Sequence, residues 1–99
     1  MKKETKISIL ISTFNKKKFI RKTINSCISQ NYKNFEIIIG DTGSTDGTVD
    51  ILKKIINKKI EILYLKRKFK TSPLNQIYSI KSCLKKSKGK IICLLDGDD

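Results

Sequence analysis

Residues 35–48 read Phe-Glu-Ile-Ile-Ile-Gly-Asp-Thr-Gly-Ser-Thr-Asp-Gly-Thr, an apolar run that passes directly into a polar turn. An apolar run rich in β-branched residues is typical of a strand buried on both faces, as in a parallel sheet. Gly43 and Gly47 permit backbone conformations that other residues avoid, and Ser44 or Asp46 can cap a following helix. The stretch therefore predicts a buried strand followed at once by a helix.

The same alternation extends over the whole chain. Ser72 and Pro73 are suited to begin the third helix, as N-cap and first helical residue, and Gly89 is suited to end it. Strands that alternate with amphipathic helices predict an α/β fold, here a Rossmann-like, mostly parallel four-stranded sheet with helices on both faces. The predicted strands cover residues 7–12, 35–40, 60–65 and 91–95, and the predicted helices cover residues 19–28, 49–56 and 74–84.

The composition fits one small domain or a part of a larger one. The chain has 99 residues, of which 38% are apolar, enough for a modest core. It has three cysteines in no Cys-x-x-Cys pair and no histidine, which argues against a zinc site and a disulfide framework. Cys27, Cys83 and Cys93 are therefore expected to be small core residues. No apolar stretch approaches the roughly 20 residues of a membrane span, and a cytoplasmic location is expected.

The net charge of +13 raises the question of a polyanionic partner. Clustered lysines can neutralise the phosphates of nucleic acid or of an anionic membrane. Here the basic residues are mostly lysines scattered over every predicted helix, and only residues 16–18 and 66–70 are densely basic. We therefore expect no nucleic-acid partner, and keep a basic module that binds nucleic acid or an anionic membrane without catalysis as an alternative function.

A carboxylate cluster follows the last predicted strand. Directly after the apolar residues 91–95 the sequence reads Asp96-Gly97-Asp98-Asp99. Ligands of open α/β sheets bind outside the carboxyl ends of the strands. Carboxylate oxygens are ligands that Mg²⁺ and Mn²⁺ prefer, and Mg²⁺ is usually shared between one or two carboxylates and substrate phosphates. The pattern thus indicates either a divalent-metal site at this strand end or a solvated strand-end loop or helix cap, and the other strand ends decide between them.

Polar residues also follow the first two predicted strands. Thr13, Phe14 and Asn15 offer a hydroxyl, an aromatic ring and an amide, which can bond to or stack on a base or sugar. Asp41 stands at the end of the second strand and is best explained by a ligand contact, whereas residues 44–48 suit a structural turn. We expect these strand ends to converge with the acidic cluster on one site, since carboxyl ends of parallel strands meet at one edge.

Taken together, three segments resemble the N-terminal half of the family 2 glycosyltransferases, which have the GT-A fold. In that family the first strand leads into a Thr-aromatic-Asn segment, the second into an Asp-Asp-Gly-Ser-Thr-Asp-Gly-Thr turn, and the fourth into the D-x-D metal motif. The matching segments here are residues 7–15, 35–48 and 89–99. Ser12 replaces a usual Pro, and Thr42 replaces the second carboxylate of the acidic turn, which bears on base preference.

The resemblance implies a nucleotide-sugar site with a divalent metal. Asp98 would ligate the Mn²⁺ or Mg²⁺, Asp96 would contact the ribose or the metal shell, and Asp99 would support the metal site. Lys66, Arg67 or Lys70 could face the phosphates from a loop whose composition is that of a mobile segment, although a solvated surface position is favoured for each of them taken singly. The residues implied to bind the nucleotide sugar are Thr13, Phe14, Asn15, Asp41 and Asp96.

The resemblance further implies an inverting transfer of sugar from a nucleoside diphosphate donor, most commonly a UDP-sugar, to a glycan, lipid-linked or protein acceptor. The general base of the family lies downstream of the metal motif, so the catalytic base is expected beyond Asp99. Residues 1–99 are accordingly expected to be the N-terminal part of a catalytic domain, ending at the D-x-D motif and lacking the acceptor-binding part. Peripheral association with the inner membrane surface is a further expectation.

A sugar-1-phosphate nucleotidyltransferase is a second alternative, since it also combines a nucleotide-binding sheet with metal-binding acids. Such an enzyme is expected to carry a Gly-rich phosphate loop with a basic residue after its first strand. This chain has Ser12-Thr13-Phe14-Asn15 there, which favours the glycosyltransferase. A calcium loop is disfavoured because an apolar strand, rather than a helix, precedes the acidic residues.

Overall fold

Strands and helices alternate along residues 5–96, the part of the chain that the computed structural model describes. The strands are β1 (Ile7–Thr13), β2 (Phe35–Thr42), β3 (Ile60–Leu65) and β4 (Ile91–Asp96). The helices are α1 (Ile20–Ile28), α2 (Thr48–Lys53) and α3 (Ser72–Lys86). The predicted order of elements is thus confirmed, and every predicted boundary except the end of α2 agrees within two residues.

The strands form one sheet in the order β3-β2-β1-β4, and every neighbouring pair is parallel. This confirms the prediction of a mostly parallel, four-stranded sheet. At the carboxyl end of β1, Ser12 pairs with Asp96 of β4 and Thr13 pairs with Asp41 of β2. The register thereby brings the polar strand ends to one edge of the sheet, which is where the sequence placed a site.

Helices cover both faces of the sheet, as predicted. On one face α1 and α2 pack against β1 and β2, and on the other face α3 packs against the same two strands. Removal of this apolar surface from water is the main force that holds the layers together. The first face buries Ile11, Ile20, Ile24, Cys27, Phe35, Ile37, Ile39 and Leu52, and the second buries Leu10, Ile38 and Cys83.

The helix α3 lies close to the sheet because its buried stripe consists of the small and polar residues Asn75, Ser79 and Cys83. The Ser79 hydroxyl donates a hydrogen bond of 2.9 Å to the carbonyl of Gly40 in β2. A Cβ atom added at Gly40 would stand 2.2 Å from Ser79 Oγ and 3.0 Å from Cys83 Sγ. The missing side chain of Gly40 therefore sets how closely α3 approaches β2.

At the amino edge of the sheet, a buried hydroxyl and a carboxylate join β1, β2 and the segment before β4. Ser8 Oγ donates to Glu36 Oε2 at 2.6 Å, as does the Lys88 N–H at 2.6 Å, and the Gly89 N–H donates to Ser8 Oγ at 2.8 Å. The net effect of the surroundings is to lower the pKa of Glu36. Burial alone would raise it, but this effect is outweighed by the hydrogen bonds from Ser8 and Lys88 and by the charges of Lys6 and Lys88.

Two predicted helix termini are shifted, the end of α2 by three residues and the N-cap of α3 by one. The second helix was predicted to include Ile56, but α2 ends at Lys53 and Ile56 is 97% exposed. There the backbone N–H groups of the next two residues donate to carbonyls three positions back, which tightens the last turn before the chain leaves for β3. Ser72 is the first residue of α3, and the extended Thr71 takes the N-cap position without a side-chain hydrogen bond.

The predicted role of Gly89 is also wrong, because α3 ends at Lys86 and an extended Ser87 follows it. Gly89 instead allows a close approach to β1, since an added Cβ atom would stand 2.6 Å from the backbone nitrogen of Ser8. None of the helices in residues 5–96 is long and apolar enough to cross a membrane.

The cysteines divide between core and surface. Cys27 and Cys83 are buried as predicted, and burial raises the pKa of both thiols, that of Cys83 to about 11. Cys93 was predicted to be a core residue and is exposed. The reason is that β4 is an outer strand of the described sheet, where Ile91 and Leu94 are also exposed, at 49% and 56%.

We expect Gly40→Ala to lower the free energy of unfolding by about 1–3 kcal/mol, the usual effect of overpacking a core. The added methyl group would collide with Ser79 Oγ, so the double variant Gly40→Ala/Ser79→Ala should recover part of the loss. Urea unfolding of both variants and of Ser79→Ala alone measures this coupling. A Gly40→Ala protein as stable as the wild type would contradict the packing described for α3.

We expect Glu36→Gln to lower the free energy of unfolding by about 1 kcal/mol at pH 7, because the two donors would lose a charged acceptor. Since the folded-state pKa of Glu36 is lowered, its stabilisation is complete above the unfolded-state pKa of about 4.3 and is lost as the pH falls through the folded-state pKa. Urea unfolding between pH 3 and pH 7 should show the two proteins converging at low pH. The control Glu61→Gln removes an exposed carboxylate of β3, so it separates the loss of the Ser8 and Lys88 hydrogen bonds from the loss of one negative charge.

Candidate functional site

A cleft of about 270 Å³ opens at the carboxyl edge of the sheet. Its walls come from the ends of β1, β2 and β4, from the loop after β3, and from the first turns of α3. The three strand ends that the sequence singled out therefore all contribute to one cavity. The residues that line it are Ser12, Phe14, Lys16, Thr42, Arg67, Ser72, Gln76 and Asp96.

Within the cleft a cation lies on an aromatic face. Cζ of Arg67 is 3.7 Å from the centroid of the Phe14 ring, a cation–π contact. Arg67 Nη2 also donates to Ser72 Oγ at 3.3 Å, which orients the guanidinium plane. A planar aromatic ring can stack on a nucleobase, and a guanidinium matches the geometry of phosphate. The sequence predicted Phe14 for the nucleotide pocket and gave Arg67 only as one of three loop residues that could face the phosphates, and it did not predict that the two side chains touch.

The Asp96 carboxylate stands on the cleft wall at the end of β4. Its Oδ1 accepts a hydrogen bond of 2.6 Å from Gln76 Nε2, so α3 helps to orient it. Gln76 is a site residue that sequence reasoning missed. The available signal was its position one turn after Ser72, because residues four apart share a face of a helix and this face begins at the carboxyl edge.

The loops after β1 and β2 are tied together by Asn15. Its backbone has a φ of 54°, its N–H donates to Ser44 Oγ at 2.8 Å, and its Oδ1 accepts the N–H of Thr45 at 2.7 Å. Asn tolerates this left-handed conformation better than most residues. The structure thus uses Asn15, predicted to line the nucleotide pocket, as a bridge between two loops. A contact between Asn15 and a nucleotide stays a prediction.

A second bridge joins the same loops at the start of α2. Asp46 accepts the N–H groups of Lys17 at 3.1 Å and of Thr48 at 3.0 Å, and the Thr48 hydroxyl donates to it at 2.5 Å. These hydrogen bonds outweigh desolvation and lower the pKa of Asp46. Thr48 Oγ1 in turn accepts the N–H of Lys16 at 3.1 Å. This agrees with the predicted structural role of residues 44–48. The prediction that Ser44 or Asp46 caps α2 is wrong, because Gly47 takes the N-cap position and no side chain caps the helix there.

Asp41 and Thr13 lie beneath the cleft rather than on its wall. Asp41 is 1% exposed and accepts the N–H of Ser44 at 3.0 Å and its hydroxyl at 2.5 Å. Thr13 is 2% exposed, and its Oγ1 finds no hydrogen-bond partner among residues 5–96. Contacts of Asp41 with a base and of Thr13 with a nucleotide therefore stay predictions.

The predicted metal ligand Asp98 and the supporting Asp99 lie outside the described residues. Residues 5–96 by themselves bring together no group of three or more His, Cys, Asp and Glu side chains that could hold a metal. Asp96 is the acidic residue among those that line the described cleft. The metal site stays a prediction that depends on Asp96 and Asp98 together.

Comparison with known proteins bears on the identity of this cleft. The family model "Glycosyl transferase family 2" matches residues 8–99. The chain is 42% identical over 94 residues to the Escherichia coli protein UDP-Glc:alpha-D-GlcNAc-diphosphoundecaprenol beta-1,3-glucosyltransferase WfaP, a match that covers 94% of this chain and 35% of that protein. It is 30% identical over 95 residues to the putative teichuronic acid biosynthesis glycosyltransferase TuaG of Bacillus subtilis, covering 94% of this chain and 36% of that protein.

Solved structures of two glycosyltransferases have a similar fold. The crystal structure of S. aureus TarS 1–349 in complex with UDP superimposes with a TM-score of 0.76 at 27% identity and covers 94% of this chain and 27% of that chain. The Pyrobaculum calidifontis mannosyltransferase PcManGT superimposes with a TM-score of 0.82 at 17% identity, over 97% of this chain and 28% of that chain, a likeness that shows the fold alone.

The chain spans about a third of the length of the curated relatives it matches. Within that span the likeness is continuous, since the family model runs from residue 8 to residue 99 and so includes β1, the turn after β2 and the acidic cluster. The same segments carried the resemblance that the sequence suggested. This chain belongs to glycosyl transferase family 2 and has the GT-A type of fold.

Proposed function

We propose that this cleft binds the nucleoside diphosphate part of a sugar donor and that the protein transfers the sugar to an acceptor hydroxyl. The observation that carries the proposal is the Arg67 guanidinium 3.7 Å from the Phe14 ring centroid, in the same cleft as the Asp96 carboxylate. The Phe14 ring offers a planar face to a base, the Arg67 guanidinium offers a positive charge to a diphosphate, and the Asp96 carboxylate offers a hard oxygen ligand to a divalent cation. The UDP complex of TarS supports a UDP-linked donor.

In the proposed complex the base stacks on the Phe14 ring, and Arg67 and Lys16 face the diphosphate. The volume of about 270 Å³ is at the small end for ligand sites, so the cleft suits the nucleotide and leaves the sugar toward the open side. Thr42 lines the cleft where the family pattern has a second carboxylate. A carboxylate at this position would only accept hydrogen bonds, whereas the Thr42 hydroxyl can both donate and accept them. A base that offers an N–H group therefore meets a neutral acceptor here in place of a charged one.

A divalent metal, Mn²⁺ or Mg²⁺, belongs to the proposed site. Asp96 fits this role because its carboxylate is a hard oxygen ligand, lies at the strand end and is oriented by Gln76. Asp98 is the second proposed ligand, in keeping with the one or two carboxylates that usually hold Mg²⁺ beside substrate phosphates. When bound, the ion supplies electrostatic stabilisation of the charge on a departing diphosphate.

The proposed transfer is an inverting single displacement whose general base lies downstream of Asp99. The curated relatives are about three times as long as this chain, which supports residues 1–99 as the donor-binding N-terminal part of a catalytic domain. The acceptor-binding part would then lie outside these residues.

The name of one relative suggests the acceptor class. WfaP of Escherichia coli is named for transfer to a GlcNAc-diphosphoundecaprenol, a lipid-linked acceptor. At 42% identity over 94% of this chain, that relative supports a lipid-linked glycan as the acceptor here. We therefore propose a cytoplasmic enzyme that works at the inner membrane surface, where a lipid-linked acceptor is accessible.

Binding of UDP is expected to require a divalent metal and Asp98. Calorimetric titration with Mn²⁺ should show UDP affinity that Asp98→Asn weakens by about tenfold or more, because a neutral amide is a poorer ligand for a hard cation. The matched control Asp50→Asn removes an exposed carboxylate of α2 and should bind as the wild type does. Unchanged metal-dependent binding by Asp98→Asn would show that the site is assigned wrongly.

The same titration with GDP and TDP tests the base preference and the alternative function. Selective, metal-dependent binding of one nucleotide supports the proposal and identifies the donor class. Metal-independent binding that is indifferent to the base and disappears with added salt would instead identify the lysine surface as the binding element.

Arg67→Gln is expected to weaken UDP affinity roughly tenfold, since it removes a charge that lies on Phe14 and faces the proposed diphosphate. Arg21→Gln is the matched control, because it removes an exposed arginine of α1 that does not line the cleft. Fluorescence or calorimetric titration at two salt concentrations distinguishes the outcomes. Equal losses in both variants would mean that net charge, and not the position of Arg67, governs binding.

A further inference from the structure

The loop between β3 and α3, residues 66–71, has neither helix nor strand structure, yet it presents Arg67 to the cleft. Its composition predicted a mobile segment. The polar backbone groups of such a loop need partners outside the regular hydrogen-bond ladders. Asn75, a buried residue of α3, supplies several of them from a single side chain.

The Asn75 side chain is 1% exposed and makes four hydrogen bonds to this loop. Its Oδ1 accepts the N–H groups of Lys68 at 2.8 Å and of Phe69 at 3.0 Å. Its Nδ2 donates to the carbonyls of Phe69 at 2.8 Å and of Thr71 at 2.9 Å. A carboxamide has two donor hydrogens and an oxygen with two lone pairs, so Asn75 commits its full hydrogen-bonding capacity to the loop.

These bonds begin at the residue that follows Arg67. The peptide group between Arg67 and Lys68 is planar, so the hydrogen bond from the Lys68 N–H fixes the orientation of that plane. This limits the position of the Arg67 Cα atom, from which the side chain extends. The guanidinium then lies 3.7 Å from the Phe14 ring centroid. On the other side of the loop the ring of Phe69 packs edge to face on Tyr78, with centroids 6.4 Å apart.

We infer that Asn75 is a positioning residue for nucleotide binding, because its carboxamide holds residues 68–71 in the arrangement that places Arg67 over Phe14. Asn75 does not itself line the cleft. The inference rests on the proposed function, in which Arg67 faces the donor. No other common side chain of this size offers two donors together with a two-site acceptor, so replacement by Asp loses both donors and sets a carboxylate against two carbonyls.

Binding measurements separate this role from a general effect on stability. Asn75→Ala is expected to weaken UDP binding with Mn²⁺ roughly tenfold, and the double variant with Arg67→Gln should bind no more weakly than Arg67→Gln alone. Ser79→Ala is the matched control, since it removes a buried hydrogen bond from the same stripe of α3 one turn later. It should bind UDP as the wild type does. Asn75→Ser, which keeps a small polar group in this buried stripe of α3 but loses the carboxamide, serves if the alanine variant does not fold.

Hydrogen exchange gives a readout that needs no nucleotide. The amides of Lys68 and Phe69 donate to Asn75 Oδ1, so their exchange should accelerate about tenfold or more in Asn75→Ala and stay unchanged in Ser79→Ala. Exchange at these amides that is unaffected by Asn75→Ala would overturn the inference.

The outcomes for the two proposals are distinct. A wild-type protein that binds none of UDP, GDP and TDP in the presence of Mn²⁺ would overturn the proposed function, and the role of Asn75 at the cleft with it. Wild-type affinity in Asn75→Ala, or losses that add in the double variant, would overturn the role of Asn75 alone. A loss in Asn75→Ala that Arg67→Gln does not increase, together with faster exchange in the loop, supports both.

Discussion

The parallel pairing of β1 with β2 on one side and with β4 on the other is the constraint on which the rest of the structure depends. Parallel strands require a crossover between each pair, and a helix that packs on the sheet satisfies that requirement. All carboxyl ends must then meet at one edge. The polar residues that follow β1, β2 and β4 are far apart in sequence, and this topology alone is enough to make them neighbours.

The two edges of the sheet use polar groups differently. At the amino edge, Ser8, Glu36 and the Lys88 N–H satisfy one another and bind the segment before β4 to the sheet. At the carboxyl edge, Asn15 and Asp46 brace the loops while Asp96 and Phe14 line an open cleft. The polar groups of the amino edge thus stabilise the fold. At the carboxyl edge, hydrogen bonds hold the loops in place, and the polar and aromatic side chains of the cleft face a ligand.

Sequence patterns predicted the elements well because hydrophobic periodicity is a local property. The apolar runs predicted β1 to β4, and strand ends led to Phe14 and Asp96, which line the cleft. Contacts between loops are not encoded by periodicity, so it predicts neither the bridging role of Asn15, nor the contact of Arg67 with Phe14, nor the hydrogen bond from Gln76. Cys93 was misjudged for a related reason, because an apolar strand pattern does not reveal whether a strand lies inside the sheet or at its border.

The close contact between Gly40 and Ser79 links the interior of the protein to the width of its cleft. One wall of the cleft stands on α3, through Ser72 and Gln76, and the facing wall stands on the strands. The distance between α3 and β2 therefore sets the width of the ligand site. Over evolutionary time, residues at positions 40 and 79 are expected to vary as a pair, and an increase in their combined volume, which would push α3 away from β2, offers a route to a different ligand without altering any residue that touches it.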